Sequence, residues 1–238
     1  MKKVLIIALK TLLILYLFAL IAFSLFGLYK YNEGKNESKK LASEIIVNTN
    51  LDEIPIDVDF ETLKEKNDDI IGWLYCPNTP LNYAIVQAED NEYYLQRDFN
   101  KEYSNSGTLF ADCRNSGDFS DKNTVIYGHN MKNNSMFATL IKYKNDEYYK
   151  VNPVMYLITP DKKYTVELIA GVVKKSSQEL YDNLLQEENV KYIIDEALLQ
   201  STFDTNYVFD ENDRFVTLST CSYDYDDARF ILIGKLHN

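Results

Sequence analysis

The chain opens with one unbroken apolar run and then settles into short, alternating strand-like segments. Thr11–Tyr29 is a stretch of 19 residues without a charge. As a helix it spans about 28 Å, close to the thickness of a bilayer's hydrocarbon layer. It is longer than the core of a secretory signal peptide, and no small-x-small cleavage site ends it, so an uncleaved membrane anchor is expected. Lys2, Lys3 and Lys10 precede the run and Lys30, Lys35, Lys39 and Lys40 follow it, so the lysines alone do not orient it. Asn32–Val47 is polar and helix-friendly, which suits a juxtamembrane stalk. Ile54-Pro55 marks a break, and Asp59 is placed to cap a short helix over Phe60–Lys66.

Beyond that point the period is mostly two. Ile70–Tyr75, Tyr83–Val86, Thr108–Ala111, Val125–Tyr127, Val154–Ile158, Tyr164–Val173, Phe215–Cys221 and Phe230–Ile233 read as strands. Pro77–Pro80 is a turn and Asn115–Lys122 a polar loop. Asn91–Arg97 and Ser135–Tyr143 read as short helices. Val190–Ser201 reads as a longer one, because Val190, Ile193, Ile194, Ala197 and Leu198 recur at helical spacing. Many short strands with few helices predict a mainly β domain, a barrel rather than an alternating βαβ sheet.

Charge narrows the range of partners. The 238 residues carry a net charge of −11, and all 36 acidic residues lie beyond position 30. The part outside the anchor therefore lacks the basic patches that nucleic acid needs, and no nucleic-acid partner is expected. The chain has no Cys-x-x-Cys or His-x-x-x-His spacing and no Gly-rich phosphate loop, so neither metal nor cofactor is expected. Its 19 tyrosines read as barrel core and groove lining.

The chemistry concentrates in Phe215-Val-Thr-Leu-Ser-Thr-Cys221, with Arg229 eight residues on. Strand alternation puts Phe215, Thr217, Ser219 and Cys221 on one face. If the segments on either side of Ser222–Ala228 pair antiparallel, Cys221 and Arg229 flank the base of one loop. A thiol that attacks a carbonyl needs a base beside it, and its oxyanion needs donors or positive charge. The chain has two histidines, and His237 is next to the last residue. Histidine chemistry therefore points to His129, just past Val125–Tyr127 and the flexible Gly128. Each residue also has a plain structural reading: Cys221 as a small core residue, His129 as a structural histidine, Arg229 as a salt bridge to Asp226 or Asp227.

The strings Thr217-Leu-Ser-Thr-Cys221 with Arg229, and Tyr127-Gly-His-Asn130 upstream, resemble the sortases, the membrane-anchored cysteine transpeptidases of Gram-positive bacteria. Cys221-Ser-Tyr-Asp-Tyr-Asp-Asp-Ala-Arg229, Asp90-Asn-Glu-Tyr-Tyr-Leu95, Ser106-Gly-Thr-Leu-Phe110 and Ile126–Met131 are similar to class B in particular. The likeness runs from about Ile70 to the C-terminus. It implies a closed eight-stranded β-barrel with added helices, preceded by the transmembrane helix. It also implies Cys221 as nucleophile, His129 as general acid/base and Arg229 as carbonyl or oxyanion donor. Asn91, Leu95, Tyr127 and Ser219 would border the substrate groove. The implied division is 1–30 cytoplasmic tip and anchor, 31–58 stalk, and 59–238 extracellular catalytic domain. The implied reaction cleaves an Asn/Ser-Pro-x-Thr-x sorting signal of secreted proteins after Thr and transfers the protein to a peptidoglycan amine. A cell-wall cysteine peptidase is the alternative, but such enzymes usually place Cys before His, whereas His129 precedes Cys221 by 92 residues. L,D-transpeptidases have that order but lack the Thr-Leu-x-Thr-Cys strand. A catalytically silent surface module is the non-enzymatic alternative.

Overall fold

The structure is a computed structural model that describes residues 2–43, 46–47 and 56–237. Helix α1 (Lys2–Ser43) is continuous through the apolar run, and within it Leu9–Lys30 is long and apolar enough to cross a membrane. The segment expected to form a stalk thus begins as a continuation of the same helix. A two-residue ladder pairs β1 (Ile46–Val47) with β2 (Ile56–Asp57). The rest of the expected stalk, including the break at Ile54-Pro55, lies outside the described residues. Helix α2 (Phe60–Lys66) starts where expected: the Asp59 carboxylate accepts the Thr62 amide at 3.1 Å.

Eight strands then close into a barrel. In chain order they are β3 (Ile70–Tyr75), β4 (Asn82–Val86), β5 (Leu109–Ala111), β6 (Asn123–Tyr127), β7 (Val154–Ile158), β8 (Lys163–Lys175), β9 (Arg214–Cys221) and β10 (Ala228–His237). Helices α3 (Asp146–Val151), α4 (Gln178–Leu185) and α5 (Glu187–Gln200) sit on this frame. Around the barrel the order is β10-β8-β7-β3-β4-β5-β6-β9, and β9 returns to β10. Two neighbour pairs are parallel, β4 with β5 and β6 with β9. Closure removes the open sheet edges that would otherwise seek partners.

Alternation along the strands separates the cores. Val216, Leu218, Phe230 and Leu232 point into the barrel with Leu74, Ile126 and Leu157. Phe215, Ile231 and Ile233 face outward, where Val190, Ile194 and Ala197 of α5 cover them. The apolar stripe read from the sequence is therefore the packing face of α5. A third cluster, around Trp73, Val86, Tyr94 and Phe110, lies beneath α2.

The two expected short helices form as 3-10 turns, Tyr93–Gln96 and Phe137–Lys144. The first buries Tyr94, and the second buries Phe137, Leu140 and Tyr143. Two helices absent from the sequence reading appear, α3 and α4.

Candidate active site

Cys221 is the last residue of β9, and Arg229 pairs directly opposite it in β10. Both are half-buried, on the outer barrel face that also carries Ser219. The intervening loop closes tightly: the Ser222 amide donates to Ala228 O at 2.9 Å and the Ala228 amide to Tyr225 O at 3.1 Å. The first of these occupies the N–H just after the thiol. Lys144 fixes the loop from the side, donating to Ser222 Oγ at 2.8 Å and pairing with Asp224. That contact holds the Asp224 carboxyl below its usual pKa, assisted by the Ser222 hydroxyl.

The alternative reading of Arg229, a salt bridge to Asp226 or Asp227, is not what the structure has. Among the described residues no carboxylate pairs with Arg229, whose Nη1 donates only to Ala228 O at 3.1 Å. Asp226 and Asp227 are exposed, and Asp224 is taken by Lys144 and Ser222. The guanidinium therefore keeps most of its donors for a ligand.

His129 approaches from the neighbouring parallel strand. Gly128 N donates to Ser219 O at 3.2 Å, and Thr220 Oγ1 donates to Gly128 O at 2.7 Å. Asn130 Nδ2 then donates to Cys221 O at 2.9 Å. These bonds stitch the histidine turn to the end of the cysteine strand. A Cβ on Gly128 would lie 2.4 Å from Leu109 Cδ2 and 2.7 Å from the Phe137 ring, so only glycine lets the turn pass.

The imidazole is held from behind: His129 Nε2 is 2.7 Å from Leu95 O. A carbonyl oxygen only accepts, so Nε2 carries the hydrogen, and Nδ1 is the ring position left to exchange a proton. Gly107 supports this contact, with φ of 59° and an ideal Cβ 2.8 Å from Leu95 O. A side chain there would displace the carbonyl that orients the histidine.

These groups share one open cleft of about 280 Å³, which His129, Cys221, Arg229, Asn91, Leu95, Tyr127 and Ser219 all line. Every site residue expected from the sequence is thus at one place. Asn91 also receives the Cys113 amide at 2.8 Å. Tyr127 donates to Asp112 at 2.7 Å, and Ser219 Oγ is 2.9 Å from Tyr181 OH. Burial, and then the Asp112 charge, push the Tyr127 phenol far above its ordinary pKa, so it stays a donor.

Tyr181, Arg114 and Gln178 also line the cleft and were missed in the sequence. Tyr181 and Gln178 belong to α4. Its signal was present: Ser177 caps it by accepting the Leu180 amide at 3.1 Å, and Leu180 and Leu184 stand one turn apart. Helix α4 is short, and its apolar positions are few beside Glu179 and Asp182. Among the described residues no group of three or more His, Cys, Asp or Glu side chains is arranged to hold a metal. All three cysteines are free. Cys76 is buried 3.5 Å from Tyr143 OH, and burial raises its thiol pKa, which keeps it protonated and inert.

A Sortase domain family model matches residues 74–237. Sortase B of Listeria monocytogenes is 35% identical over 179 residues, which cover 73% of this chain and 72% of that protein. The X-ray structure of Clostridium perfringens sortase B is similar with a TM-score of 0.70 at 32% identity, over 76% of this chain and 100% of that one. A Staphylococcus aureus sortase B–substrate complex is similar with a TM-score of 0.69 at 27% identity, over 75% and 84% of the two chains. The chain belongs to the sortase family of cysteine transpeptidases, in its class B branch.

Proposed function

We propose that this enzyme cleaves an Asn/Ser-Pro-x-Thr-x sorting signal of secreted proteins after Thr and transfers them to an amine of a peptidoglycan stem or cross-bridge. The observation that carries the reading is the register: Cys221 faces an arginine without a carboxylate partner, in the cleft that His129 enters. The Cys221 thiolate attacks the Thr carbonyl carbon and a C–S bond forms. The carbonyl oxygen takes up the negative charge against Arg229. Collapse breaks the scissile C–N bond, and protonated His129 gives its proton to the departing amine. The acceptor amine then attacks the thioester and His129 takes its proton. The new amide forms as the C–S bond breaks and the thiolate is restored. Asn91, Leu95, Tyr127 and Ser219 border the bound signal. A solved sortase B–substrate complex among the similar structures supports substrate binding on this scaffold.

In this reading residues 1–30 form the cytoplasmic tip and anchor, 31–58 the stalk, and 59–238 the extracellular catalytic domain. The apolar length of α1 supports the anchoring. The test is a library of sorting peptides, incubated with and without an amine acceptor. Cleavage after Thr, with an amide product when the amine is present, is expected. Hydrolysis alone at every amine concentration refutes transfer. Cleavage retained by Cys221→Ala refutes the thioester. Protease added to wall-stripped cells should digest the barrel domain, and protection there reverses the topology.

A further inference from the structure

Helix α4 forms one wall of the cleft, and a guanidinium ties its middle to the barrel rim. Arg114 grips Asp112, which is fully buried, through a fork: Nε to Oδ1 and Nη2 to Oδ2, both 2.9 Å. The same carboxylate accepts Tyr127 OH at 2.7 Å. Burial alone would raise the Asp112 pKa, but the bonds from Arg114 and Tyr127 outweigh it and hold the carboxyl below its usual value. The fork therefore fixes Arg114 in direction, and its remaining terminus, Nη1, reaches Asp182 of α4 at 2.6 Å. Gln178 Nε2 donates to the same Asp182 oxygen at 2.8 Å. Among the described residues this is the one ion pair between α4 and the barrel.

The far end of α4 is anchored otherwise, by buried Leu184 and by Asn123 Nδ2 donating to Leu184 O at 2.8 Å. Tyr181 immediately precedes the first of these ties. Its ring meets Tyr127 edge-on at 5.3 Å, and its hydroxyl meets Ser219. Asp182 is the next residue, so the position of Tyr181 in the cleft follows the Arg114–Asp182 contact.

We propose that Arg114 is a positioning residue for peptide recognition: by joining Asp182 to the buried Asp112, it clamps α4 and holds Tyr181 as a preformed wall of the peptide groove. The role rests on the peptide-cleaving function proposed above. It concerns the fit of the peptide, not the chemistry at Cys221, so it acts on KM rather than kcat.

The test compares Asp182→Asn, which keeps shape and loses charge, with Asp182→Glu, which keeps the charge, in the full-length chain in detergent. Three quantities are measured: hydrogen exchange of the α4 amides, KM and kcat for a sorting peptide, and alkylation of Cys221 by iodoacetamide. Both partners of the pair are about 40% exposed, so a modest effect is expected. In Asp182→Asn, α4 exchange and KM should each rise about two- to fivefold, the range an exposed ion pair supports, with kcat, alkylation and α5 exchange unchanged. Asp182→Glu should recover most of the loss. Unchanged α4 exchange overturns the clamp. Faster exchange with unchanged KM overturns its role in recognition, and a fall in kcat and alkylation together shows a general loss of the site instead. If the wild-type chain cleaves no sorting peptide, the proposed function fails, while the exchange measurement still decides the clamp.

Discussion

Replacing Arg229 by lysine separates a chemical role from a structural one. The structure makes the two effects unequal. Arg229 holds no carboxylate among the described residues, and its one bond is Nη1 to Ala228 O. Losing a half-exposed bond of that kind costs about 0.5–1 kcal/mol of stability. For a domain of this size that is about 1–4 °C in Tm. The chemical stake is larger. The Ser222 amide, next to Cys221, is already bonded to Ala228 O, so in the proposed mechanism the guanidinium is the donor left for the oxyanion. Removal of one such donor lowers turnover by about 10²–10³, or about 2.7–4 kcal/mol in the barrier. Lysine keeps the charge but not the planar fork, so most of that loss should persist in Arg229→Lys. The assay pairs kcat on a fluorogenic sorting peptide with the melting temperature, for Arg229→Lys and Arg229→Ala. Turnover down about 10²-fold or more with Tm within about 4 °C is the expected outcome. Near-normal turnover in the lysine variant refutes the reasoning, as does a turnover loss that tracks a large fall in Tm.

Gly128→Ala drives a methyl group against Leu109 and the Phe137 ring and should cost about 1–3 kcal/mol, read from urea unfolding. A neutral result would mean the rim can yield. Asp112→Asn breaks the fork to Arg114 and should cost about 2–3 kcal/mol near neutral pH, at or just below the range for fully buried pairs because Arg114 is 40% exposed. The folded-state pKa of Asp112 is depressed, so its contribution is complete above the ordinary carboxylate pKa and is lost as pH falls through the folded value. The gap between wild type and Asp112→Asn should therefore narrow on acidification, and a gap independent of pH would contradict the assignment. Peptide cleavage should follow a bell-shaped pH profile set by the Cys221–His129 pair, and a flat profile would remove His129 from proton transfer.

What the sequence disclosed, and what it hid, follows from how each contact is encoded. Strands with one buried face announce themselves by alternation, and β3 and β7 fall where the pattern puts them. The Asp59 cap is local and equally legible. Cys221, His129 and Arg229, which line one cleft, could be singled out because their types are rare in this chain and stand in recognisable strings. Arg114 was invisible for the opposite reason. Its partners, Asp112 two residues away and Asp182 on another element, are ordinary charges whose meeting depends on barrel closure. The two 3-10 helices could not be told from α-helices, because short apolar runs at near-helical spacing fit both pitches. The fate of Arg229 was open in the sequence for a related reason, since only the β9–β10 register decides whether it turns toward its own loop or stands beside Cys221.

The 92-residue separation of histidine and cysteine also has a geometric meaning. Strands β6 and β9 run parallel, and their register pairs Asn123 with Phe215 and continues through Tyr127 with Ser219. Each of those pairs is separated by the interval between His129 and Cys221. The Thr220 Oγ1 bond to Gly128 O extends the same offset one step past the regular ladder. His129 and Cys221 share the same offset just beyond the end of that ladder, and both line the cleft. The chain leaves β6 after Tyr127, and the Asn130 side chain then bonds Cys221 O. The alignment of the two residues is therefore a property of strand pairing in the barrel, held by every rung below it. A single-residue insertion within β6 would shift that register and turn each side chain to the other face. This is why parallel pairing serves the chemistry. Two residues far apart in sequence emerge side by side at the same end of the barrel, and the loops beyond them remain free to shape the groove.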